Sequence, residues 1–486
     1  MKTLSYSTLR EMDYTGYLLE TAPVRVLQFG EGNFLRAFVE NFIDLANERT
    51  DWKGKVTLVQ PIEQGGLEKY FAEQQGLYTL YLRGRENGEA VCRKRVISAV
   101  DSYINPYESF ADYLDAAGNP DLRYIVSNTT EAGIVYDASC NYSDTPPASF
   151  PAKLTVLLHE RWKRFGGEAS KGLVILSCEL IDDNGKILDA CVKQHIAAWG
   201  LEEDFALWVQ RACLFCSTLV DRIVTGYPRT EAEALNAENG YVDNLLDTGE
   251  LFALWVIEGP EWLAAELPFL KADLPIKVVA DHTPYKKQKV RILNGAHTAM
   301  VPMAYLCGQD IVRNAMFDED IGAFLRKAVW EEIIPVTPLP REELEAFAAS
   351  VDDRFKNPYI DHALLSIALN CTSKWRARVL PSLKEYLAQK GELPACLSFS
   401  LAAYIAFCAQ RNDRDYALQD DASVLELFRA LRPCTLEGYA RPVLENADLW
   451  GEDLTALPGL LAAVEAGLRE IEHLGMRGAL RGLLEK

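Results

Sequence analysis

Histidine is scarce in this chain, with six in 486 residues. None stands at a recognisable metal-ligand spacing from a carboxylate, so no metal centre is expected. No apolar run approaches the roughly 20 residues a helix needs to cross a bilayer. Residues 1–16 are polar and mixed and do not resemble a signal peptide, so a cytoplasmic location is the default expectation. Positive charge is also short: 50 Lys and Arg face 70 Asp and Glu, a formal net charge of −20. Such a surface disfavours nucleic acid and anionic membranes as partners. A small anionic ligand in a local positive pocket stays possible. The 11 cysteines are scattered. Cys213 and Cys216 form a lone C-x-x-C in an apolar stretch with no second ligand pair, which reads as buried small side chains. Internal repeats and low-complexity segments are missing as well.

What is present starts with VRVLQFGEGNFLRAFVENFIDLANE at 24–48. Val24, Val26 and Leu27 make a short apolar run, and Gly30 and Gly32 follow it. Phe34, Leu35, Phe38, Val39, Phe42, Ile43, Leu45 and Ala46 then recur at spacings of three and four, which predicts a helix with one buried stripe. Strand, glycine turn, helix is an order that points free N–H groups at a phosphate. Glycine there permits unusual dihedrals and close approach of a ligand. Leu35 occupies the place of the third glycine in Gly-x-Gly-x-x-Gly, so the turn alone also fits a loop without a ligand. Its place in the first βα unit favours a nucleotide. The cofactor-binding candidates are Gln28, Phe29, Gly30, Glu31, Gly32, Asn33, Phe34 and Leu35.

KVTLVQ at 55–60 reads as the second strand. The following Gln60, Pro61, Ile62 and Glu63 offer no Arg or Lys for a 2′-phosphate, which favours NAD over NADP. Residues 77–83 and 90–99 read as a hairpin turning at Asn87-Gly88. RYIVS at 123–127 is a further strand, and the polar loop after it adds Asn128 and Thr129 as cofactor candidates. A helix is expected from Pro151, a strand over 172–178, a turn at 183–185, and helices over 191–199 and 203–225. IKVVA at 276–280 is the last convincing strand, and helical patterns take over beyond it. The fold class predicted is an α/β Rossmann-type N-terminal domain over 1–284 followed by a mainly α-helical domain over 285–486.

The junction carries the second constellation, TPYKKQKVRILNGAHT at 283–298, where Lys286, Lys287, Lys289 and Arg291 crowd together in an acidic protein. At about 100° per helical residue, Lys289 and His297 lie about 80° apart, with Asn294 in the same broad arc. One helix face can present an amine, an amide and an imidazole to one pocket. Read blandly, the same residues are a solvated charge run and a core histidine. With a hydride donor nearby, Lys289 could protonate a ketone oxygen, Asn294 could donate to the developing alkoxide, and His297 could orient either.

Together the two constellations resemble the mannitol dehydrogenase family of long-chain polyol dehydrogenases. The resemblance covers nearly the whole chain, through QFGEGNFLRAF at 28–38, QGLYT at 75–79, SNTTEAGI at 127–134, FPAKLT at 150–155, SCELIDDNG at 177–185, TLVDRIVTGYP at 218–228, the junction motif, and RFKNPYI at 354–360. It implies metal-independent, NAD-linked hydride transfer. It also implies that Lys289 is the general acid in reduction and the base in oxidation, Asn294 an oxyanion-hole donor, and His297 a contact to the substrate oxygen, with Gly30 and Gly32 bordering the pyrophosphate.

Two departures stand out. The family's Asp-Asn pair, whose asparagine joins the oxyanion hole, is Glu179-Leu180 here. Ser217-Thr218 replaces a frequent Asn-Ser. Both leave room for a substrate with other polar groups, such as a uronate. A substrate carboxylate needs a cation. Arg222, Arg354, Lys286, Lys287, Lys374 and Arg378 qualify, and paired hydrogen bonding favours the arginines Arg222, Arg354 and Arg378. The partner expected is a small anionic sugar acid. A fructuronate reductase giving D-mannonate, a mannitol-type polyol dehydrogenase and a catalytically silent NAD-binding protein are the alternatives, and the oligomeric state stays open.

Overall fold

Two-residue alternation builds the central sheet of the computed structural model, which describes every residue except Asn87, Glu131, Asn412, Asp413 and Lys486. Six parallel strands run β1 Val24–Phe29, β2 Lys55–Val59, β3 Val100–Ile104, β4 Tyr124–Ser127, β5 Val174–Ser177 and β6 Leu214–Cys216. Their order in space is β3-β2-β1-β4-β5-β6. This is the doubly wound order, with its switch point between β1 and β4. Both faces are covered. Val26, Tyr124, Val126, Val174 and Leu176 join one apolar cluster with Phe38, Phe42 and Trp255. Leu27, Phe29, Ile125 and Ile175 point the other way, into Leu154, Leu157, Leu158 and Val192. Strands buried on both faces read as continuous apolar runs, which is why they are visible in the sequence.

The helix after the glycine turn, α1, occupies 33–49 and contains a π-helical stretch at Arg36–Glu40. On the opposite face lie α2 Phe150–Arg164, α3 Asn184–Ala198 and α4 Glu203–Ala212. The helix expected over 203–225 stops at Ala212. Leu214–Cys216 becomes β6, and Thr218–Asp221 becomes β7 of a second sheet with β9 Leu254–Glu258 and β10 Ile276–Val279. A short apolar run fits either periodicity, and here Leu173 settles it: its carbonyl takes the Leu214 N–H at 2.9 Å. The turn expected at 183–185 is only its first residue: Asp183 is left-handed, and Asn184 opens α3. The hairpin forms from Tyr78–Glu86 and Glu89–Ile97, with β8 Asp247–Glu250 beside its first strand. Asn87 of the expected turn lies outside the described residues, while Gly88 has φ +84°.

The chain divides into two units: 1–83 with 92–282, and 84–91 with 283–486. The second is helical. It includes α5 over 283–306, α6 Arg341–Phe355, α7 Cys371–Arg378, α8 Ala395–Ala409 and α9 Leu460–Leu484. α8 is apolar all round and buried along its length, so it forms the core helix against α5 and α9. Its first N–H groups, from Cys396 and Leu397, donate to buried Glu332 at 2.7 and 2.9 Å, a carboxylate cap on the positive helix end. Ser400 links it to α5 through the Ala299 carbonyl at 3.1 Å. Among the described residues, no helix is long and apolar enough to cross a membrane.

Candidate active site

The glycine turn is held from below. Gln28 donates to the Gly30 carbonyl at 2.8 Å and to Glu40 Oε1 at 2.7 Å. Tyr78 donates to Glu40 Oε2 at 2.8 Å. Arg36, over the Tyr78 ring, donates to the Leu245 carbonyl at 2.5 Å and to Asn33 Oδ1. Asp247 lies in the same layer, and burial pushes its carboxyl up to about 7 against the pull of Arg36. Gly30 has φ +115°, and a Cβ there would stand 3.0 Å from the Asn128 carbonyl oxygen. Only glycine suits both constraints. Gly32, the N-cap of α1, has nothing within 4 Å of an added Cβ. The turn therefore has one tight glycine and one facing open space. Burial separates the candidates. The side chains of Gln28, Phe29 and Leu35 lie in the interior, so these three can meet a ligand only through backbone atoms. Glu31, Gly32, Asn33 and Phe34 are accessible.

The carboxyl ends of β4 and β5 are latched together. Buried Glu179 accepts from Ser127 Oγ and from the Thr129 amide and hydroxyl, all at 3.1 Å. Asn128 Nδ2 donates to the Cys178 carbonyl at 2.7 Å. Burial raises the Glu179 carboxyl, and these bonds pull it back down. Asn184 closes the layer by donating to the carbonyls of Ser177, Glu179 and Thr218. Beside the latch, Thr130 has φ +92°, a strained conformation for a β-branched residue. A cavity of about 550 Å³ opens there, lined by Pro61, Ile62, Thr129, Thr130, Val135 and Phe150 among others. Ile62 and Val135 expose 54% and 55% of their surface, apolar area suited to a flat ring. No Arg or Lys is among its described lining residues. The cavity sits outside the strand ends near the switch point, where doubly wound sheets bind their ligands.

In the second unit, α5 changes from α to π geometry at Lys289–Gly295 and returns to α at Ala296. A π segment takes up one extra residue. The eight steps from Lys289 to His297 then turn the helix like seven, and the separation falls to about 20° rather than 80°. Lys289 and His297 share one face more closely than a regular wheel predicts. Gly295 permits this packing, because a Cβ there would meet the Arg378 carbonyl oxygen at 3.0 Å. His297 is only 9% exposed, its ring stacks on Phe355 at 3.9 Å, and its Nε2 has no hydrogen-bond partner among the described residues. Burial holds the imidazole well below its ordinary pKa, helped by the positive charges of His362, Arg354 and Arg378. It is a neutral ring with a free nitrogen in a positive field. Lys289 and Asn294 are half-buried on the same helix.

The cation candidates sort by what they touch. Arg378 and Arg354 act on His297, and burial lowers Arg378. Lys374 donates to the Ile367 carbonyl at 2.8 Å. Arg291 pairs with Glu385 through two bonds of 2.5 and 2.6 Å, anchoring α5. Arg222 stands apart from these. It belongs to the first unit, where its three guanidinium nitrogens donate to the Phe252, Ala37 and Leu251 carbonyls. It clamps three backbone carbonyls, and each of its guanidinium nitrogens is engaged.

Comparison with known proteins adds a family. The model of the mannitol dehydrogenase Rossmann domain matches 24–271, and that of the mannitol dehydrogenase C-terminal domain matches 281–472. The chain belongs to the mannitol dehydrogenase family. An altronate oxidoreductase of Pectobacterium carotovorum subsp. carotovorum is 50% identical over 475 residues, 95% of this chain and 97% of that one. Solved structures share the fold at 21% identity. A substrate-free D-sorbitol dehydrogenase has TM-score 0.82 over 99% of this chain and 100% of its own. The Pseudomonas fluorescens mannitol 2-dehydrogenase ternary complex with NAD and D-mannitol has TM-score 0.66 over 100% of both.

Within this mannitol dehydrogenase fold, the two departures have structural readings. Leu180 is 68% exposed just past β5, in a turn closed by the Ile181 N–H on the Glu179 carbonyl at 2.8 Å. Thr218 bonds the Ser177 carbonyl at 2.5 Å, and Ser217 Oγ accepts the Lys186 N–H at 3.3 Å. Thr218 thus holds the end of β5, and Ser217 the first turn of α3. Phe355 and His362 were missed by sequence reasoning. Phe355 had a signal, since it lies inside the RFKNPYI motif.

Proposed function

We propose that this chain is an NAD-dependent altronate oxidoreductase (tagaturonate reductase), interconverting D-altronate and D-tagaturonate in hexuronate catabolism. The observation that carries the proposal is the 50% identity to an altronate oxidoreductase over nearly the full length of both chains. The cationic surroundings of His297 agree with a substrate that bears a carboxylate.

The first unit fits a dinucleotide. Gly32 and the start of α1 would take the pyrophosphate, with Gly30 keeping the turn close to Asn128. Ile62 and Val135 would flank the adenine, and the lack of a cation in that cavity favours NAD over NADP. When bound, the nicotinamide supplies or takes up the hydride at the carbinol carbon. Lys289 gives the proton to the ketone oxygen in reduction and removes it from the hydroxyl in oxidation. Asn294 donates to that oxygen as negative charge develops on it. Neutral His297 meets the same oxygen through its unpartnered Nε2. Arg354 and Arg378 offer the charge that a carboxylate needs.

NADH oxidation with tagaturonate, fructuronate and fructose tests the reading. Tagaturonate should give the highest kcat/KM, and fructose as the best substrate would overturn the assignment in favour of a polyol dehydrogenase. Preference for fructuronate would make the enzyme a mannonate-forming reductase, and NADH binding without turnover would mark a silent protein. Arg354→Gln and Arg378→Gln should raise KM for the sugar acid while leaving NADH affinity unchanged.

A further inference from the structure

A second cavity, of about 360 Å³, lies in the first unit between the later turns of α1 and the hairpin. Nothing in the proposed reaction uses it. In a chain of net charge −20, its lining holds Arg49, Arg93, Lys94, Arg95 and Arg222, with Asp273 as the carboxylate. Two of these cations have no acidic partner among the described residues. Arg49 Nη1 donates to the Ala272 carbonyl at 3.0 Å, and Lys94 Nζ to the neutral amide oxygen of Asn239 at 3.1 Å. Arg95 is different, held by Asp44 at 2.6 Å and Glu48 at 2.7 Å. The second observation is Asn41. It lines the same cavity, is 2% exposed, and its Nδ2 has no hydrogen-bond partner among the described residues. A stable fold rarely leaves a buried amide donor unused, because its lost hydration is then uncompensated.

We propose that this cavity binds a small metabolite bearing an oxyanion, a phosphate ester or a carboxylate of hexose size or less. Arg49 and Lys94 meet the anion, Asn41 donates to a polar oxygen, and Phe42 and Leu45 flank the carbon skeleton. The volume sits at the small end of ligand sites, which sets the size limit. The proposal is independent of the substrate assigned above.

Calorimetric titration of the full chain with inorganic phosphate, acetate and 3-phosphoglycerate tests it, each with NADH present in excess so that the glycine turn is filled. Wild type should bind 3-phosphoglycerate saturably, more weakly as salt rises, and the two simple anions show which oxyanion dominates. Arg49→Ala with Lys94→Ala, both at exposed positions, should weaken binding at least tenfold while NADH affinity stays the same. Asn41→Leu should weaken it without changing the salt dependence. Undiminished affinity in the double variant places the anion elsewhere and overturns the proposal, as does the lack of saturable heat with all three probes.

Discussion

Exchanging the two turn glycines for alanine one at a time should separate fold from ligand. At Gly30 the alanine must hold φ +115°, which costs about 1–3 kcal/mol, and its Cβ must also clear the Asn128 carbonyl oxygen at 3.0 Å. Relief comes only by moving the turn off the β4 end, so Gly30→Ala should lose roughly 2–4 kcal/mol of stability and most of its NADH affinity. At Gly32 the backbone is ordinary, with φ −68° and ψ 166°, and an added Cβ meets nothing within 4 Å. Exchanging glycine for alanine at an N-cap costs at most about 1 kcal/mol. If a phosphate occupies the open side, the methyl removes a charge-assisted N–H bond worth about 1.5–3 kcal/mol, a loss of roughly 10- to 100-fold in affinity. Urea denaturation and NADH fluorescence titration give the two numbers for each variant. Gly32→Ala with wild-type NADH affinity would refute the placement of the pyrophosphate on this turn, whatever Gly30→Ala does.

Lys289→Ala should lower kcat by about 10²- to 10⁴-fold, the usual worth of a positioned acid–base group, while NADH affinity by fluorescence stays near wild type. His297 is depressed in the folded state, so the unfolded chain binds its proton first and wild type loses stability as pH falls below about 6.5; His297→Gln should flatten that part of the urea-midpoint profile. Asp247 has the opposite sign. Its folded carboxyl is raised to about 7, so the stability it contributes is full below about pH 4 and is lost as pH rises through 7. Asp247→Asn should remove that loss, gaining on the order of a few kcal/mol over wild type at pH 8.

Local features were legible and long-range ones were not. The strands of the doubly wound sheet declare themselves through apolar runs, and the glycine turn through residue type, because burial on two faces and a positive φ are local demands. Glu179 gave no such sign: its partners Ser127 and Thr129 lie some 50 residues upstream, and only the β4–β5 pairing brings them together. Arg222 shows the limit from the other side. A sequence displays a positive charge, whereas its availability depends on three carbonyls supplied by α1 and by the segment before β9. The same distinction decides how α5 should be read. A regular helical wheel spreads Lys289 and His297 over about 80°. The π stretch at Lys289–Gly295 draws them together, and it is Gly295, against the Arg378 carbonyl, that lets the widened turn pack. The glycine in Asn-Gly-Ala-His therefore shapes the helix face that carries Lys289 and His297, since the packing of the widened turn depends on the space that the missing side chain leaves.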